Sequence, residues 1–233
     1  MAIAGAIIVA AGSASRMKGV DKIFLEVAGM PVLAHTIRAF QDSRAIGSIV
    51  VVLSAANIVK GKELVKKYRY DKVRAVCEGG STRQQSVGNG LKLIGNCNFI
   101  LVQDGARPCV TNEIIEQGIA NAAEEGVAVA AAHVTDTIKR VDNENRVVET
   151  LDRNELRAIQ TPQVFRADIL RKVHENPESD LTDDAGLAEK MGYTVNVYMT
   201  SKENMKITTI EDIAVVESIL GKRIRDKAQR TSR

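Results

Sequence analysis

The chain has 233 residues, of which 45% are hydrophobic, enough to fill the core of one domain and hardly of two. Aromatic residues make up only 3% and tryptophan is absent, so the core must be aliphatic. With 32 basic and 29 acidic residues the net charge is +3, a near balance that argues against a general nucleic-acid or membrane binder. Any preference for anions must therefore be built into a local site.

Short apolar runs alternate with amphipathic stretches along most of the chain. The continuous apolar runs predict strands covered on both faces, at 6–11, 48–53, 73–78, 98–104, 127–132 and 193–199. The amphipathic stretches predict helices, at 31–43, 81–95, 111–126 and 210–224. This alternation predicts an α/β fold with a mostly parallel sheet between helix layers, which binds ligands outside the carboxyl ends of its strands. We therefore expect the site in the loops 12–22, 79–86 and 104–110.

The segment 133–156 breaks this rhythm, because polar and apolar residues alternate there around the turn sequence DNEN. This pattern predicts a β-hairpin. An isolated hairpin is marginal in water and its edges invite pairing with another chain. A surface flap is one interpretation; an arm that clasps a second subunit is the one we favour.

Neither the cysteines nor the histidines form a metal-binding pattern. Cys77, Cys97 and Cys109 lie 20 and 12 positions apart, which matches no zinc spacing, and the three histidines are scattered. The odd number of cysteines suits a reducing compartment. No charged leader precedes the first predicted strand, and the longest apolar runs are far shorter than the ~18 residues of a membrane span. We therefore expect a cytoplasmic protein.

The first candidate loop is AAGSASRM, which directly follows the first predicted strand. Its small side chains would let backbone N–H groups approach a phosphate closely, and the cations Arg16 and Lys22 follow at the same strand end. The loop is neither a complete G-x-G-x-x-G nor a P-loop, so by itself a tight turn is an equal interpretation. Attack on the α-phosphorus of a nucleoside triphosphate adds negative charge that fixed cations and Mg²⁺ stabilise. With its two cations, the loop predicts a polyphosphate site.

Two further loops are expected at the same edge of the sheet. The stretch GGSTRQQS joins a strand to a helix N terminus, an arrangement that offers amides to an anion or a base edge, with Arg83 and Ser86 in the first turn. The stretch QDGARP ends the fourth predicted strand with Asp104 and Arg107. A carboxylate at Asp104 would suit a sugar hydroxyl or a metal, although Asp before Gly is also a common turn former.

Two other polar stretches have structural interpretations. In LTDDA, Asp183 and Asp184 precede an apolar stretch, as at a helix N terminus, so capping is favoured over a metal pair or an acid–base couple. The basic end at 222–233 predicts a solvated helix terminus and a tail, with polyanion binding as the alternative.

Eight motifs, in order, resemble those of the 2-C-methyl-D-erythritol 4-phosphate cytidylyltransferase family of the non-mevalonate isoprenoid pathway. They extend from Ile3 to about Ile219 and are AAGSASRM, DKIFLEVAGMPVLAHTIRAF, GGSTRQQSV, QDGARP, DTIKR, LDRNELRAIQTPQVF, LTDDA and ENMKITTIEDI. The resemblance implies a Rossmann-like three-layer nucleotidyltransferase fold, with a single cytidylyltransferase domain over 1–233. It also implies a homodimer in which a protruding hairpin arm completes the neighbouring subunit's site. The implied reaction joins CTP to a sugar-alcohol phosphate, releases pyrophosphate and requires Mg²⁺.

The resemblance also implies roles for individual residues. Those implied to bind the nucleotide are Ala10, Ala11, Gly12, Ala14, Gly80, Ser81, Arg83 and Ser86. Those implied to form the sugar-phosphate pocket are Asp104, Gly105, Arg107, Thr137, Thr161 and Thr182. The implied catalytic residues are Arg16, Lys22, Arg153 and Lys206. The first two would stabilise charge at the α-phosphate, and the last two would grip the phosphate of the acceptor. Mg²⁺ would be held mainly by phosphates, with Asp104 as the candidate protein ligand.

The chain departs from the usual residues of the family at several positions. These are Ala14, Asp21, Ile23, Gln103 and Gly105. Asp21 stands where proline is usual, and the spacing from Arg16 to Lys22 is one residue shorter. The loss of the proline is expected to loosen the segment around Lys22, called the lysine segment below. Asp21 adds a carboxylate beside a cation meant for phosphate.

These departures leave alternatives open. One is a ribitol 5-phosphate cytidylyltransferase of the same fold, and another is a non-catalytic nucleotide-binding module that kept the fold and lost the chemistry. A nicotinamide-dependent oxidoreductase is disfavoured by the missing dinucleotide fingerprint.

Overall fold

The computed structural model describes residues 4–12, 21–175 and 181–231. Its strands are β1 (Ala4–Ala10), β2 (Glu26–Val27), β3 (Met30–Pro31), β4 (Ile46–Leu53), β5 (Val73–Glu78), β6 (Phe99–Asp104), β7 (Val127–His133), β8 (Lys139–Val141), β9 (Val147–Thr150), β10 (Arg157–Arg166) and β11 (Asn196–Met199). Its α-helices are α1 (Val32–Asp42), α2 (Ile58–Tyr68), α3 (Arg83–Leu91), α4 (Asn112–Glu125), α5 (Ala167–Val173), α6 (Asp184–Lys190) and α7 (Glu211–Thr231). Short 3-10 helices cover Lys22–Phe24 and Ala55–Asn57.

A seven-stranded sheet has the strand order β11-β7-β10-β6-β1-β4-β5. Strand β1 pairs in parallel with β4 and β6, β4 with β5, and β11 with β7. Strand β10 runs antiparallel between β6 and β7. The predicted mostly parallel sheet is therefore confirmed, with one antiparallel strand inserted near its middle.

Hydrophobic residues on the two faces of the sheet form two separate core clusters. Ile8 of β1 packs in the cluster that includes Phe40 of α1 and Ile115 of α4, whereas Ile7 packs in the cluster that includes Val87 of α3 and Leu170 of α5. Neighbouring residues of a strand point to opposite faces, so one continuous apolar run fills both clusters. The result is the predicted three-layer arrangement, with helices on both sides of the sheet.

The sequence pattern did not predict β10. This strand carries Gln160, Thr161 and Gln163, all of which are buried, and Pro162 interrupts its pairing with β7. Inward polar residues and an internal proline are the features that argue against a central strand. Tertiary hydrogen bonds to these side chains, described below, compensate for both.

The sequence pattern also missed α2 and α5 and misplaced some element ends. Helix α2 contains Gly61, which normally disfavours a helix. A Cβ at this position would lie 2.2 Å from Leu53 Cδ1, so the glycine lets the helix pack closely on β4. Helix α7 continues to Thr231, beyond the predicted end at residue 224, and β11 is shorter than predicted because it begins at Asn196.

The predicted hairpin is present as the two-stranded β8–β9 sheet, which is separate from the central sheet. Its turn lies at the expected DNEN sequence. The Asp142 carboxylate accepts hydrogen bonds from the backbone N–H groups of Glu144 and Arg146, and Asn145 has a φ of 61°. This segment, residues 139–150, is called the arm below.

The three cysteine thiols are free. Within the described ranges, no helix is long and apolar enough to cross a membrane.

Candidate functional site

Small residues bring three strand-end loops into close contact. A Cβ at Gly105, after β6, would lie 2.7 Å from the Cβ of Ala10, and one at Gly79, after β5, would lie 2.4 Å from the Cβ of Ala11. Gly105 N donates to the carbonyl oxygen of Val9 at 2.8 Å, which extends the β1–β6 pairing into the loop. Real Cβ atoms do not approach other atoms as closely as these two hypothetical ones would, so neither glycine position has room for a side chain. Ala10 and Ala11 therefore pack the loops together, a role that the sequence analysis did not foresee for them.

Gly12 differs from these glycines, because a Cβ there would meet no described atom within 4 Å. Packing against the described residues therefore does not account for this glycine. Its small size remains consistent with the predicted approach of a phosphate to the backbone. The predicted site residues Ala14 and Arg16 lie outside the described part of the chain.

The GGSTRQQS loop is held by its own side chains. Thr82 caps α3, with its hydroxyl accepting from Gln85 N at 3.1 Å. The buried Ser86 hydroxyl accepts from Gly80 N at 3.1 Å and donates to the Thr82 carbonyl at 2.9 Å. The amide of Ser81 donates to Gln85 Oε1 at 2.9 Å. Ser86 thus fixes the shape of the loop that the sequence analysis assigned to the nucleotide.

Asp104, at the end of β6, is surrounded by cations. Its Oδ2 lies 3.0 Å from Lys206 Nζ and 3.3 Å from Arg107 Nε, and its backbone N–H donates to Thr161 Oγ1 at 3.0 Å. Burial alone would raise the pKa of Asp104, but the charges of Lys206, Arg83 and Arg107 outweigh burial and hold this pKa below its ordinary value. The structure therefore brings Arg107, Thr161 and Lys206 together around Asp104, and their roles stay a prediction.

Asn204 joins three segments of this cluster and was not predicted. Its side-chain amide donates to Gln160 Oε1 and to the carbonyl of Thr161, both at 2.9 Å, and its backbone carbonyl accepts from Arg107 Nη1 at 2.8 Å. The side chain is fully buried. These bonds satisfy buried polar groups of β10 and place the segment before Lys206 against the β6 loop. In the sequence, Asn204 stands out only as part of the motif ENMKITTIEDI, since these three partners lie at least 43 positions away.

The lysine segment is anchored at two points. Lys22 Nζ donates to the carbonyl of Ile207 at 2.9 Å, which brings it to the segment that carries Lys206. The Asp21 carboxylate accepts a hydrogen bond from the side-chain amide of Asn57, in the loop after β4. Asp21, expected to disturb this segment, therefore links it to the neighbouring strand end.

The LTDDA stretch begins helix α6, as predicted, but its two aspartates have different partners. Asp183 is the N-cap and accepts from Gly186 N at 3.1 Å. Asp184 is fully buried and forms an ion pair with Arg83 of the GGSTRQQS loop, so it is more than a capping residue. Thr182, predicted in the acceptor pocket, is exposed.

The two predicted site residues near the arm lie apart from these buried contacts. Thr137 is exposed, and the exposed Arg153 donates to the carbonyl of Thr135 at 2.9 Å.

The 2-C-methyl-D-erythritol 4-phosphate cytidylyltransferase family model matches residues 4–222 of this chain. The chain belongs to this family. Its resemblance to the family is thereby confirmed, and its enzyme class is that of a cytidylyltransferase.

Individual members of the family are similar over nearly the whole chain. The chain is 47% identical over 218 residues to 2-C-methyl-D-erythritol 4-phosphate cytidylyltransferase of Dehalococcoides mccartyi strain CBDB1, covering 94% of this chain and 96% of the relative. It is 42% identical over 224 residues to the protein of the same name from Alkaliphilus metalliredigens strain QYMF, covering 93% and 92%. Its fold matches the crystal structure of 4-diphosphocytidyl-2C-methyl-D-erythritol synthase from Anaerococcus prevotii DSM 20548 with a TM-score of 0.83, at 30% identity, covering 94% and 96%.

Proposed function

We propose that this cytidylyltransferase transfers the cytidylyl group of CTP to 2-C-methyl-D-erythritol 4-phosphate, giving 4-diphosphocytidyl-2-C-methyl-D-erythritol and pyrophosphate. The observation that carries the proposal is the meeting of three strand-end loops beside the cationic cluster of Lys206, Arg107 and Arg83, in a chain of this family. Two anions that repel each other must meet for this reaction, and such a cluster offsets their repulsion.

In this reaction an oxygen of the acceptor phosphate forms a bond to the α-phosphorus of CTP. The bond from the α-phosphorus to the bridging oxygen breaks, and pyrophosphate leaves with its electron pair. A phosphate monoester is already an anionic nucleophile near neutral pH, so the step needs no general base. Catalysis then depends on positioning and on charge stabilisation. In the proposed arrangement Lys22 and Arg16 act at the α-phosphate, and Lys206 acts at the acceptor phosphate.

The nucleotide would lie on the loops after β1 and β5. The backbone near Gly12 would face its phosphates and the GGSTRQQS loop its base, with Arg83 at the start of α3. The acceptor would lie beside Asp104 and Thr161. The close packing of the small residues in these loops supports this division, because it keeps both binding regions at one edge of the sheet.

Mg²⁺ is part of the proposal. In nucleotide enzymes Mg²⁺ is usually bound through one or two carboxylates plus substrate phosphates. Across the described residues, no group of three or more His, Cys, Asp and Glu side chains could hold a metal ion. Asp104 fits a single-carboxylate arrangement, with the triphosphate as the main ligand. When bound, Mg²⁺ would neutralise charge on the phosphates. Chelation with EDTA should then abolish pyrophosphate release, and added Mg²⁺ should restore it.

The arm supports a homodimer. Val141 of β8 and Val147 of β9 are cross-strand partners and are 48% and 61% exposed, and such a pair of apolar side chains on a hairpin suits burial against a second copy. In that assembly Arg153 and Thr137 would act on the partner's substrate. The cytoplasmic location expected from the sequence stays a prediction.

The test is pyrophosphate release from CTP and Mg²⁺ with 2-C-methyl-D-erythritol 4-phosphate or ribitol 5-phosphate as acceptor. We expect faster turnover with the erythritol phosphate. Faster turnover with ribitol 5-phosphate would assign the chain to the alternative acceptor. Binding of CTP without pyrophosphate release from either acceptor would identify a non-catalytic nucleotide-binding module.

A further inference from the structure

Arg83 is held by a buried pair of side chains that neither the motifs nor the proposed roles include. Its guanidinium Nη1 donates to Asp184 Oδ2 across 101 positions of sequence. The other carboxylate oxygen, Asp184 Oδ1, lies 3.0 Å from His174 Nε2, at the end of α5. The side chains of Asp184 and His174 are 0% and 3% exposed, whereas that of Arg83 is 21% exposed. The arginine is thus the member of this array that reaches the surface of the site.

The protonation pattern of the array follows from its donors and acceptors. Arg83 donates to one carboxylate oxygen of Asp184, and the other oxygen can accept only from the imidazole tautomer that has its N–H on Nε2. The backbone N–H of Asp184 donates to Gln163 Oε1 at 3.1 Å, which fixes the aspartate from a third direction. A carboxylate held in this way cannot rotate without breaking a hydrogen bond, and it confines the guanidinium to one position.

The position of Arg83 gives this constraint a consequence for the site. Arg83 lies in the first turn of α3, directly after the GGST loop, and its charge acts on Asp104. A guanidinium has five N–H donors in a rigid plane, so an arginine bonded to Asp184 on one side keeps donors for a ligand on the other.

We propose that Asp184 and His174 are positioning residues that orient the Arg83 guanidinium toward the bound nucleotide. This inference rests on the proposed function for the identity of the nucleotide, CTP. A purely structural ion pair is the competing explanation, which is weakened because buried ion pairs are often no better for stability than apolar residues of the same size.

The first test is Asp184→Asn, a change that keeps the size of the side chain. Asparagine has one acceptor oxygen, so it can accept from Arg83 or from His174 while its NH₂ group faces the other donor. We expect KM and Kd for CTP to rise about tenfold, as is usual when a hydrogen bond to a charged group is lost. The KM for the acceptor should change by less than about twofold. The matched control is Asp168→Asn, which breaks the exposed Asp168–Arg166 pair and should leave all constants unchanged.

His174 provides a second variant that does not depend on the folding of Asp184→Asn. His174→Phe removes the donor and keeps a similar volume, so KM for CTP should rise about threefold. His174→Gln can donate from its side-chain amide to Asp184 and should restore CTP binding toward the wild-type value.

A double-mutant cycle separates positioning from structure. In an Arg83→Ala background, Asp184→Asn and His174→Phe should have no further effect on CTP binding, because the group they position is absent. Wild-type CTP binding in both single variants would overturn the inference, as would an equal additional loss in the Arg83→Ala background.

CTP binding by calorimetry and pyrophosphate release are measured separately, so the two proposals can fail separately. Weaker CTP binding in Asp184→Asn, with no pyrophosphate release from the wild type, would support the positioning role and reject the proposed function. Unchanged CTP binding in an active Asp184→Asn enzyme would support the proposed function and reject the positioning role. A wild-type chain that does not bind CTP would reject both.

Discussion

Asp104 is the residue whose charge state matters most to the candidate site. Its carboxylate offsets the charges of Lys206 and Arg107, and these cations with Arg83 overcome the effect of burial and lower its pKa. A carboxyl whose pKa is lower in the folded state stabilises the fold above its unfolded pKa of about 3.9. That contribution is lost as the pH falls through the folded-state value.

Asp104→Asn should therefore destabilise the protein at pH 7 and have a smaller effect at low pH. At pH 7 the variant leaves Lys206 and Arg107 without their counter-charge, whereas the wild-type carboxyl loses its stabilising effect as the pH falls from about 3.9 toward its lowered folded-state pKa. Urea unfolding of both proteins between pH 7 and pH 3 measures the difference in free energy of unfolding. The exposed Asp71→Asn variant is the control and should show little difference at any pH. A pH-independent effect of Asp104→Asn would contradict the assignment of the lowered pKa.

Lys22→Ala should lower kcat far more than CTP affinity, because its proposed role is to stabilise charge that develops at the α-phosphate. The loss of one preorganised stabiliser typically costs about 10²–10³ in rate. Steady-state kinetics and CTP titration measure the two effects, with Lys62→Ala on the exposed face of α2 as the control. Equal losses in turnover and affinity would contradict this role for Lys22. The same split is expected for Arg16→Ala.

At the scale of secondary-structure elements, the site depends on how closely the strand-end loops pack. Gly79 and Gly105 have Cβ positions already occupied by Ala11 and Ala10. The glycines and alanines therefore form one packing unit across β5, β1 and β6.

Gly79→Ala should lower the free energy of unfolding by about 1–3 kcal/mol, the usual cost of overpacking. The added methyl group would meet Ala11 and the Ser86 hydroxyl, so it should also displace the GGSTRQQS loop. Gly12→Ala is the matched comparison. Its Cβ meets no described atom, so stability should be unchanged, while its proposed place near the phosphates predicts weaker CTP binding. A destabilised Gly12→Ala variant with normal CTP binding would reverse this assignment.

The segment around Lys22 contains the departures expected at Asp21 and Ile23. The hydrogen bond between Asn57 and Asp21 supplies the anchor that a proline would otherwise have provided by rigidity. Asp21→Ala and Asn57→Ala should each lower kcat severalfold, since either leaves Lys22 on a looser segment. The double variant should be no worse than the single variants, because the same contact is lost. Additive losses in kcat would indicate that the two side chains act independently.

At the scale of the whole molecule, the arm decides whether one chain can form a complete site. Arg153 lies near the arm, and Lys22 donates to the carbonyl of Ile207, next to Lys206. In the proposed homodimer each site combines Lys22 of one subunit with Arg153 of the other.

Mixing Arg153→Ala subunits with Lys22→Ala subunits should therefore recover activity that neither variant has alone. One site of a mixed dimer would contain both wild-type residues, so its turnover should reach roughly half that of a wild-type dimer. Separately tagged subunits and tandem purification isolate the mixed species. An isolated mixed dimer without recovered activity would show that each chain supplies both residues to its own site.

The sequence by itself predicted the features that depend on near neighbours. Continuous runs such as that around Ile7 and Ile8 identified most strands of the sheet, because strands covered on both faces must be apolar throughout. The turn at DNEN and the start of α6 at LTDDA were likewise visible in a few consecutive residues. The alternation of these elements sufficed for the α/β class, and the ordered motifs sufficed for the family.

Only the tertiary structure decided which distant side chains meet. Strand β10 is central although it carries buried glutamines, because Asn204 and other partners satisfy their polar groups. Asp184 belongs with Arg83 and His174, but no local pattern relates these positions. Periodicity reports which face of an element is buried, whereas a buried polar group is stable only with a partner that folding brings to it. The contacts that shape this site join buried polar groups to partners that only folding brings to them.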